Sequence, residues 1–440
     1  YLGGDSYLQQ LEEWIEQGEQ RVLINGESGS GKSALIANWV AEHEKSHPED
    51  IVYCHHLGCS NDANGVALVM RRLIDTAAGL LEEELDVPDD YWELVAKVGE
   101  TLARLSFWVK AKGCRWIWVL DGLDKLDNQE ALPWLPNTLL DGIHVVTSAL
   151  NCPAKTILNE RNYKELTIGP LEKEEKEDLI DRYLWIFARQ LEGDLKETIL
   201  AHPLSGSPIF LRTLLEEIRQ CGRFGELSKQ LGFYLSSKNI DDLFERVLER
   251  LEGDVDRDSV QKTMTALWAS RAGLSESELL EITGLKPLEW APIDISLSEA
   301  LSETNNRLVF THDYMRIAIE DRYLTTNELK RKAHSDLADW WELNDEWDSR
   351  KAEEYPWQLE KADRKYDLRG LLLSSSNLAS LNSECGSREV IDYWRTSRRE
   401  DDPELDELIA DDVEKKIEQY KNDPTYLIWF VDQLSDLIDS

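Results

Sequence analysis

The stretch Arg21–Ala34, RVLINGESGSGKSA, dictates a strand, a phosphate-cradling loop and a helix in succession. Arg21–Asn25 is a short β-rich apolar run. Gly26-Glu27-Ser28-Gly29-Ser30-Gly31-Lys32-Ser33 then fills every fixed position of the G-x-x-x-x-G-K-[ST] pattern, and Ala34 opens an amphipathic helix. Glycines let successive backbone N–H groups converge on a β-phosphate, and the helix N-terminus adds its partial positive charge. Lys32 is expected to neutralise the β/γ oxygens and the Ser33 hydroxyl to bind Mg²⁺. A Ser/Gly-rich linker would not carry flanks of this kind, so the segment predicts nucleotide binding.

A chain of 440 residues is too long for one ordinary core, and two to four domains are expected. No run approaches the ~20 apolar residues of a membrane span. Tyr1–Asp5 has neither the basic start nor the apolar core of a signal peptide. A helix with Tyr7, Leu8, Leu11, Trp14 and Ile15 on one face leads directly into the phosphate strand, the look of a fragment of something longer. The formal charge of −37 argues against nucleic acid as a partner, because phosphate contacts need clustered Lys and Arg. Six cysteines (Cys54, Cys59, Cys114, Cys152, Cys221, Cys385) lack metal-type spacing and read as free thiols of a reducing cytoplasm.

From Arg21 to Pro170 short apolar strands alternate with helical stretches, which implies an α/β core with a parallel sheet covered on both faces. The expected strands are Arg21–Asn25, Ile51–Leu57, Arg115–Leu120, Ile143–Ser148 and Glu165–Ile168. The helices between them are Ser33–Lys45, Asn64–Ala78, Asp89–Lys112 and Pro153–Asn159. After Leu171 the strands stop. Lys173–Gln190, Leu195–Leu200 and a helix opening at Ser207-Pro208 follow. Ile240–Leu251, Ser259–Ser270, a capped helix after Ser275, a strand Arg307–Phe310 and a helix Asp313–Arg322 have the order of a small winged helix. The remainder is helical, and its tryptophans (Trp340, Trp341, Trp347, Trp357, Trp394, Trp429) read as core anchors. The division expected is 1–170 for nucleotide binding, 171–235 for a helical lid, 236–326 for the winged helix and 327–440 for an all-α domain.

Trp116-Ile117-Trp118-Val119-Leu120-Asp121-Gly122-Leu123-Asp124 is an apolar strand ending in carboxylates. Strand ends gather at one edge of a doubly wound sheet, so Asp121 is expected to face the phosphate loop from a neighbouring strand. It would hold Mg²⁺ alongside Ser33, and Asp124 would orient the attacking water. Thr147 and Ser148, ending the next strand, would hydrogen-bond the γ-phosphate or the water. His55 and His56 end the second strand and read as strand-closing residues more readily than as site residues.

With these segments in hand, the chain resembles the STAND class of P-loop ATPases, in particular the NACHT-like branch related to nephrocystin-3 and telomerase-associated protein. The resemblance rests on the ordered set GESGSGKSALIANW, WVLDGLDKL, LPWLPNTLLDGIHVVTSAL, LTIGPLEKEEKEDLIDRYL, SGSPIFLRTLLEEIR and RLVFTHDYMRIAIEDRYL. It implies that a helical lid and a winged helix fold over bound ADP and hold a closed form. Gly206-Ser207-Pro208 is similar to the family's GxP turn, whose proline packs near adenine. His312 is similar to the winged-helix histidine that reaches the ADP β-phosphate. Three departures stand out: Lys125 where many relatives have an acid, Ala149 after Ser148 where an arginine is usual, and Gly3-Gly4-Asp5 in place of a glycine-arginine-acid entry. They imply slow hydrolysis and a weak γ-phosphate sensor.

The function expected from this resemblance is a cytoplasmic signalling switch. ADP holds it closed, exchange for ATP opens it, and opened chains self-associate to drive an attached effector, usually in defence or cell death. The trigger, a ligand or protein, would be sensed outside this chain. The alternatives are a scaffold that binds nucleotide without cycling, and a P-loop kinase, which would need a compact arginine-bearing lid. A winged-helix DNA binder is disfavoured by the acidic surface.

Overall fold

The computed structural model describes residues 4–57, 65–83, 85, 87–88, 90–126, 129, 131–221, 224–298, 300–344, 347–399, 405–421 and 423–438. The expected helix starts at Asn64 and Asp89, and the thiol of Cys59, lie outside these. The chain divides into two compact units, Tyr1–Ser237 and Lys238–Ser440.

The first unit is built on five parallel strands: β1 (Arg21–Asn25), β2 (Ile51–His56), β3 (Trp116–Asp121), β4 (Ile143–Ala149) and β5 (Lys164–Thr167). Helices α1 (Asp5–Glu16), α2 (Lys32–Ser46), α3 (Val66–Leu81), α4 (Tyr91–Lys112) and α5 (Pro153–Glu160) cover it. Strand residues alternate between two cores, as the two-residue period of a pleated strand requires. Val22, Ile24, Ile117 and Val119 pack with Leu11 and Ile15 of α1 and with Leu35, Ile36 and Trp39 of α2. Leu23, Trp116, Trp118 and Leu120 pack on the other face with α3 and α4. Every residue of β3 and β4 is buried, which explains their unbroken apolar character.

The strand order is β2-β3-β4-β1-β5. It corrects one expectation: Asp121 does not face the loop from a neighbouring strand, because β4 lies between β3 and β1. The crossover from β1 carries the chain to the far edge at β2, and β3 and β4 then fill the gap. Periodicity marks strands but not this order. Tyr7 of α1 accepts a hydrogen bond from the Gly169 amide just beyond β5 (3.0 Å).

Four helices complete the unit: α6 (Lys173–Ile186), α7 (Gly193–Leu200), α8 (Pro208–Gln220) and α9 (Phe224–Leu235). The first stops short of the expected Gln190. Ala188 adopts a left-handed conformation (φ 51°), and the Arg189 amide turns back to the Leu184 carbonyl. Arg189 Nη1 then donates to the carbonyls of Ile218 and Cys221 at the end of α8.

The second unit holds α10 (Ile240–Asp254), α11 (Arg257–Ala269), α12 (Glu276–Thr283), α13 (Pro287–Ser296), the antiparallel hairpin β6 (Leu301–Thr304) and β7 (Arg307–Phe310), and α14 (Asp313–Tyr323). Asn305 and Asn306 turn the hairpin with positive φ (52° and 62°), the conformation of a tight two-residue hairpin turn. Helices α15 (Asn327–Leu343), α16 (Ser349–Lys361), α17 (Lys365–Leu372), α18 (Ser375–Cys385), α19 (Ser387–Ser397), α20 (Leu405–Gln419) and α21 (Pro424–Ile438) follow. Trp341 and Trp394 are buried in their common core, and Trp340, Trp347, Trp357 and Trp429 pack against it. Among the described residues no helix is long and apolar enough to cross a membrane.

Candidate functional site

The loop between β1 and α2 is shaped by its glycines. Gly31 sits at φ +94°, where a side chain is strained, and immediately precedes α2. A Cβ on Gly26 would stand 2.7 Å from Ser30 Oγ and 3.2 Å from the Ile168 carbonyl, so the loop backbone packs directly on the chain leaving β5. No side chain caps α2 at Gly31, and its first N–H groups point into the loop. Ser30 Oγ is buried without a hydrogen-bond partner. Orphaned donors around a glycine cradle fit a phosphate group. Glu27, Ser28 and Ala34 are exposed along the same loop and first turn.

Lys32 projects back over the loop, its Nζ donating to the carbonyls of Gly26 and Glu27 (both 2.9 Å). Burial lowers its pKa, working against the carboxylates of Asp124 and Asp121, which raise it. The ammonium therefore lies within electrostatic reach of both acids across the width of β4.

Asp121 is 4% exposed and is the hub of the site. It accepts from the hydroxyl of Ser148 at the end of β4 and from that of Ser33 in α2. Its other oxygen lies 3.2 Å from His56 Nδ1. Burial pushes the Asp121 carboxyl up, but the hydrogen bonds from His56, Ser148 and Ser33 outweigh it and hold the pKa below the ordinary carboxylate range. Ser33 and Asp121 thus bring a hydroxyl and a carboxylate oxygen together, the hard donors that suit Mg²⁺. Ser148 Oγ also accepts from the Gly122 amide (2.8 Å), fixing the turn after β3. Asp124 Oδ1 accepts from the Leu150 amide (3.0 Å), which orients the second acid at the end of β4. Thr147 is fully buried and donates to the Val22 carbonyl (3.1 Å), so its one hydroxyl hydrogen is spent between β4 and β1.

His56 is the residue that sequence reasoning passed over. It lies opposite Asp121 in the β2–β3 register, and the hydrogen bond to that carboxylate, helped by Cys54, raises its pKa to about 10. A histidine ending the strand next to a carboxylate-ending strand is a readable signal only once the strand order is known.

Two further predicted residues lie away from this cluster in sequence. Gly206-Ser207-Pro208 forms the entry to α8, with Pro208 in its first turn. The Gly206 carbonyl accepts from the Leu171 amide (2.8 Å), and a Cβ on Gly206 would stand 2.9 Å from Pro170 Cβ, so the turn seats on the exit from the sheet. His312 stands exposed at the start of α14 in the second unit.

Residues 7–158 match the family described as "Nephrocystin 3, N-terminal". A TPR repeat-containing protein of Dictyostelium discoideum is 26% identical over 433 residues, covering 89% of this chain and 26% of that protein. Nephrocystin-3 of Mus musculus is 22% identical over 422 residues, covering 90% of this chain and 31% of its own length. The chain therefore spans roughly a quarter to a third of these relatives. Among solved structures, a Signal Transduction ATPase with Numerous Domains (STAND) protein with a tetratricopeptide repeat sensor, from Pyrococcus horikoshii, superposes with a TM-score of 0.50 at 11% identity, over 97% of this chain and 63% of that one. That likeness shows the P-loop ATPase fold. On its glycine-rich loop, its strand-end acids and these matches together, the chain has a P-loop ATPase fold and is similar over residues 7–158 to the N-terminal region of nephrocystin 3.

Proposed function

We propose that the chain is the nucleotide switch of a STAND-type signalling ATPase, binding ADP or ATP with Mg²⁺ and hydrolysing ATP slowly. The observation that carries this reading is the convergence of Lys32, Ser33, Asp121 and Ser148 beside an uncapped helix N-terminus. In it, amides of residues 26–34 bind the β-phosphate and Lys32 exchanges its loop carbonyls for phosphate oxygens. Ser33 and Asp121 hold Mg²⁺, which when bound neutralises charge on the β- and γ-phosphates. Asp124 orients the attacking water, and Ser148 keeps Asp121 in place. With Lys125 and Ala149 where an acid and an arginine would speed turnover, the rate per chain stays at or below ~1 s⁻¹, the slow edge of ordinary enzymes.

The finer parts of the proposal concern the clamp. Segments 171–235 and 236–326 act as helical lid and winged helix, a reading supported by the order α10, α11, α12, hairpin and α14. Pro208 packs near adenine, and His312 contacts the ADP β-phosphate in the closed form. A donor that favours one nucleotide state shifts the conformational balance toward it. ATP then opens the switch, opened chains self-associate, and an effector of a cytoplasmic defence or death response is engaged.

The test is the nucleotide carried through purification, followed by calorimetric titration. ADP near one per chain is expected. Lys32→Ala should abolish retention, and His312→Ala should weaken ADP more than ATP. Well-folded protein giving no heat with ADP or ATP plus Mg²⁺ would overturn the proposal.

A further inference from the structure

At the amino edge of the sheet, about 17–22 Å along α2 from its phosphate loop at 1.5 Å per residue, a second set of polar side chains converges. His43 is buried, and its two ring nitrogens face two carboxylates. Nδ1 lies 2.9 and 3.0 Å from the Glu12 oxygens, and Nε2 lies 3.2 Å from Asp50 Oδ2. One helical turn on, His47 Nε2 lies 3.1 Å from Glu12 Oε1. The donor atoms of Glu12, His43 and His47 all fall within 4.8 Å of one another.

The surroundings orient these groups. Arg115 grips Asp50 through Nε and Nη2 (both 2.6 Å) and through its backbone amide (2.7 Å), so the Asp50 carboxyl is fixed in place beside His43. Asp50 against Nε2 and Glu12 against Nδ1 fix the ring between them, so that Nδ1 faces the side of the cluster shared by Glu12 and His47. Trp39 Nε1 meanwhile donates to Glu12 Oε2 (2.7 Å), holding the carboxylate toward the two rings. A carboxylate behind a histidine, and a donor behind a carboxylate, are the supports that ligating groups carry at metal centres.

We propose that Glu12, His43 and His47 form a zinc site that ties α1 to the far end of α2. Two imidazoles and one carboxylate are a donor set for Zn²⁺, whose bonds of about 2.0–2.1 Å put tetrahedral ligands roughly 3.3 Å apart. A small outward shift from the present separations admits the ion. His43-Glu44-Lys45-Ser46-His47 also fits the H-E-x-x-H spelling of zinc peptidases, but the geometry differs from theirs. The nitrogen that faces the cluster is Nδ1 of His43, and Glu44 is exposed. The site is built to hold two helices together, and one tetrahedral position remains for water. It does not depend on the nucleotide reading above.

The test uses the full chain, stripped with a chelator and reloaded with Zn²⁺ alone, with Co²⁺ as a spectroscopic substitute. One zinc per chain should survive gel filtration, Co²⁺ should give tetrahedral absorption, and Zn²⁺ should raise the melting temperature. His47→Ala and Glu12→Gln should each weaken binding by at least ~10-fold, the lower end for a lost supporting group and so a minimum for a ligand. Lys32→Ala should leave zinc content unchanged, which separates this site from the Mg²⁺ site. His47 is partly exposed, so its variant should keep the wild-type circular dichroism. Absence of retained zinc in the wild type, or equal retention in the wild type and both variants, would overturn the proposal and leave a cluster bridged by protons.

Discussion

At the scale of residues, the site depends on hydroxyls as much as on charges. Ser148 joins the Asp121 carboxylate to the Gly122 amide, so its removal takes the amide's acceptor and one of the carboxylate's three donors. Ser148→Ala should therefore cost about 1–3 kcal/mol of stability, the penalty for stranding a buried polar group, as read by denaturant melts. Its larger effect should be on Mg²⁺-dependent hydrolysis, expected to fall roughly 10–100-fold as for other groups that orient a metal ligand. ADP affinity without Mg²⁺ should change little, because the loop amides and Lys32 are untouched. The phosphate loop was legible from spacing alone, since Gly26, Gly31, Lys32 and Ser33 fill one local pattern. The two acids were legible as the end of an apolar strand, but not the strand order that sets β4 between them and the loop strand. His56 was not. Its role depends on β2 lying beside β3, a fact of tertiary order that a strand-ending histidine does not carry. Glu12 and His43 were hidden for the same reason: they are brought together across 31 positions of sequence.

At the scale of elements, apolar period did most of the work in the sheet, where every strand is recovered to within a residue or so. It failed where structure is short or polar. The strand Leu301-Ser302-Glu303-Thr304 has a single apolar residue and forms because Arg307–Phe310 pairs with it across a two-asparagine turn. The second unit also buries charge in a way that pattern does not announce. Glu354 of α16 is fully buried and accepts from the Arg271 and Ala272 amides, from Arg350 Nη1 (2.9 Å) and from Gln358 (2.9 Å). It thereby staples α16 to the link between α11 and α12. Glu354→Ala should destabilise this unit by about 3–5 kcal/mol, because it leaves Arg350 buried with less compensation. Glu354→Gln, which keeps an acceptor for the amides, should cost less. Chemical denaturation followed by tryptophan fluorescence would read both.

At the scale of the whole molecule, a net charge of −37 sets up self-repulsion that folded packing must overcome. Raising NaCl from about 20 to about 200 mM shortens the screening length from roughly 20 Å to under 10 Å and should raise the melting temperature. A chain stabilised chiefly by surface ion pairs would respond in the opposite direction. One small contact has a wider consequence. The hydroxyl of Tyr7, two residues into the first helix, meets the Gly169 amide just before the chain quits the sheet. Entrance and exit of the α/β layer thus share one latch, so tension applied along the backbone on either side of this layer is felt at the same point.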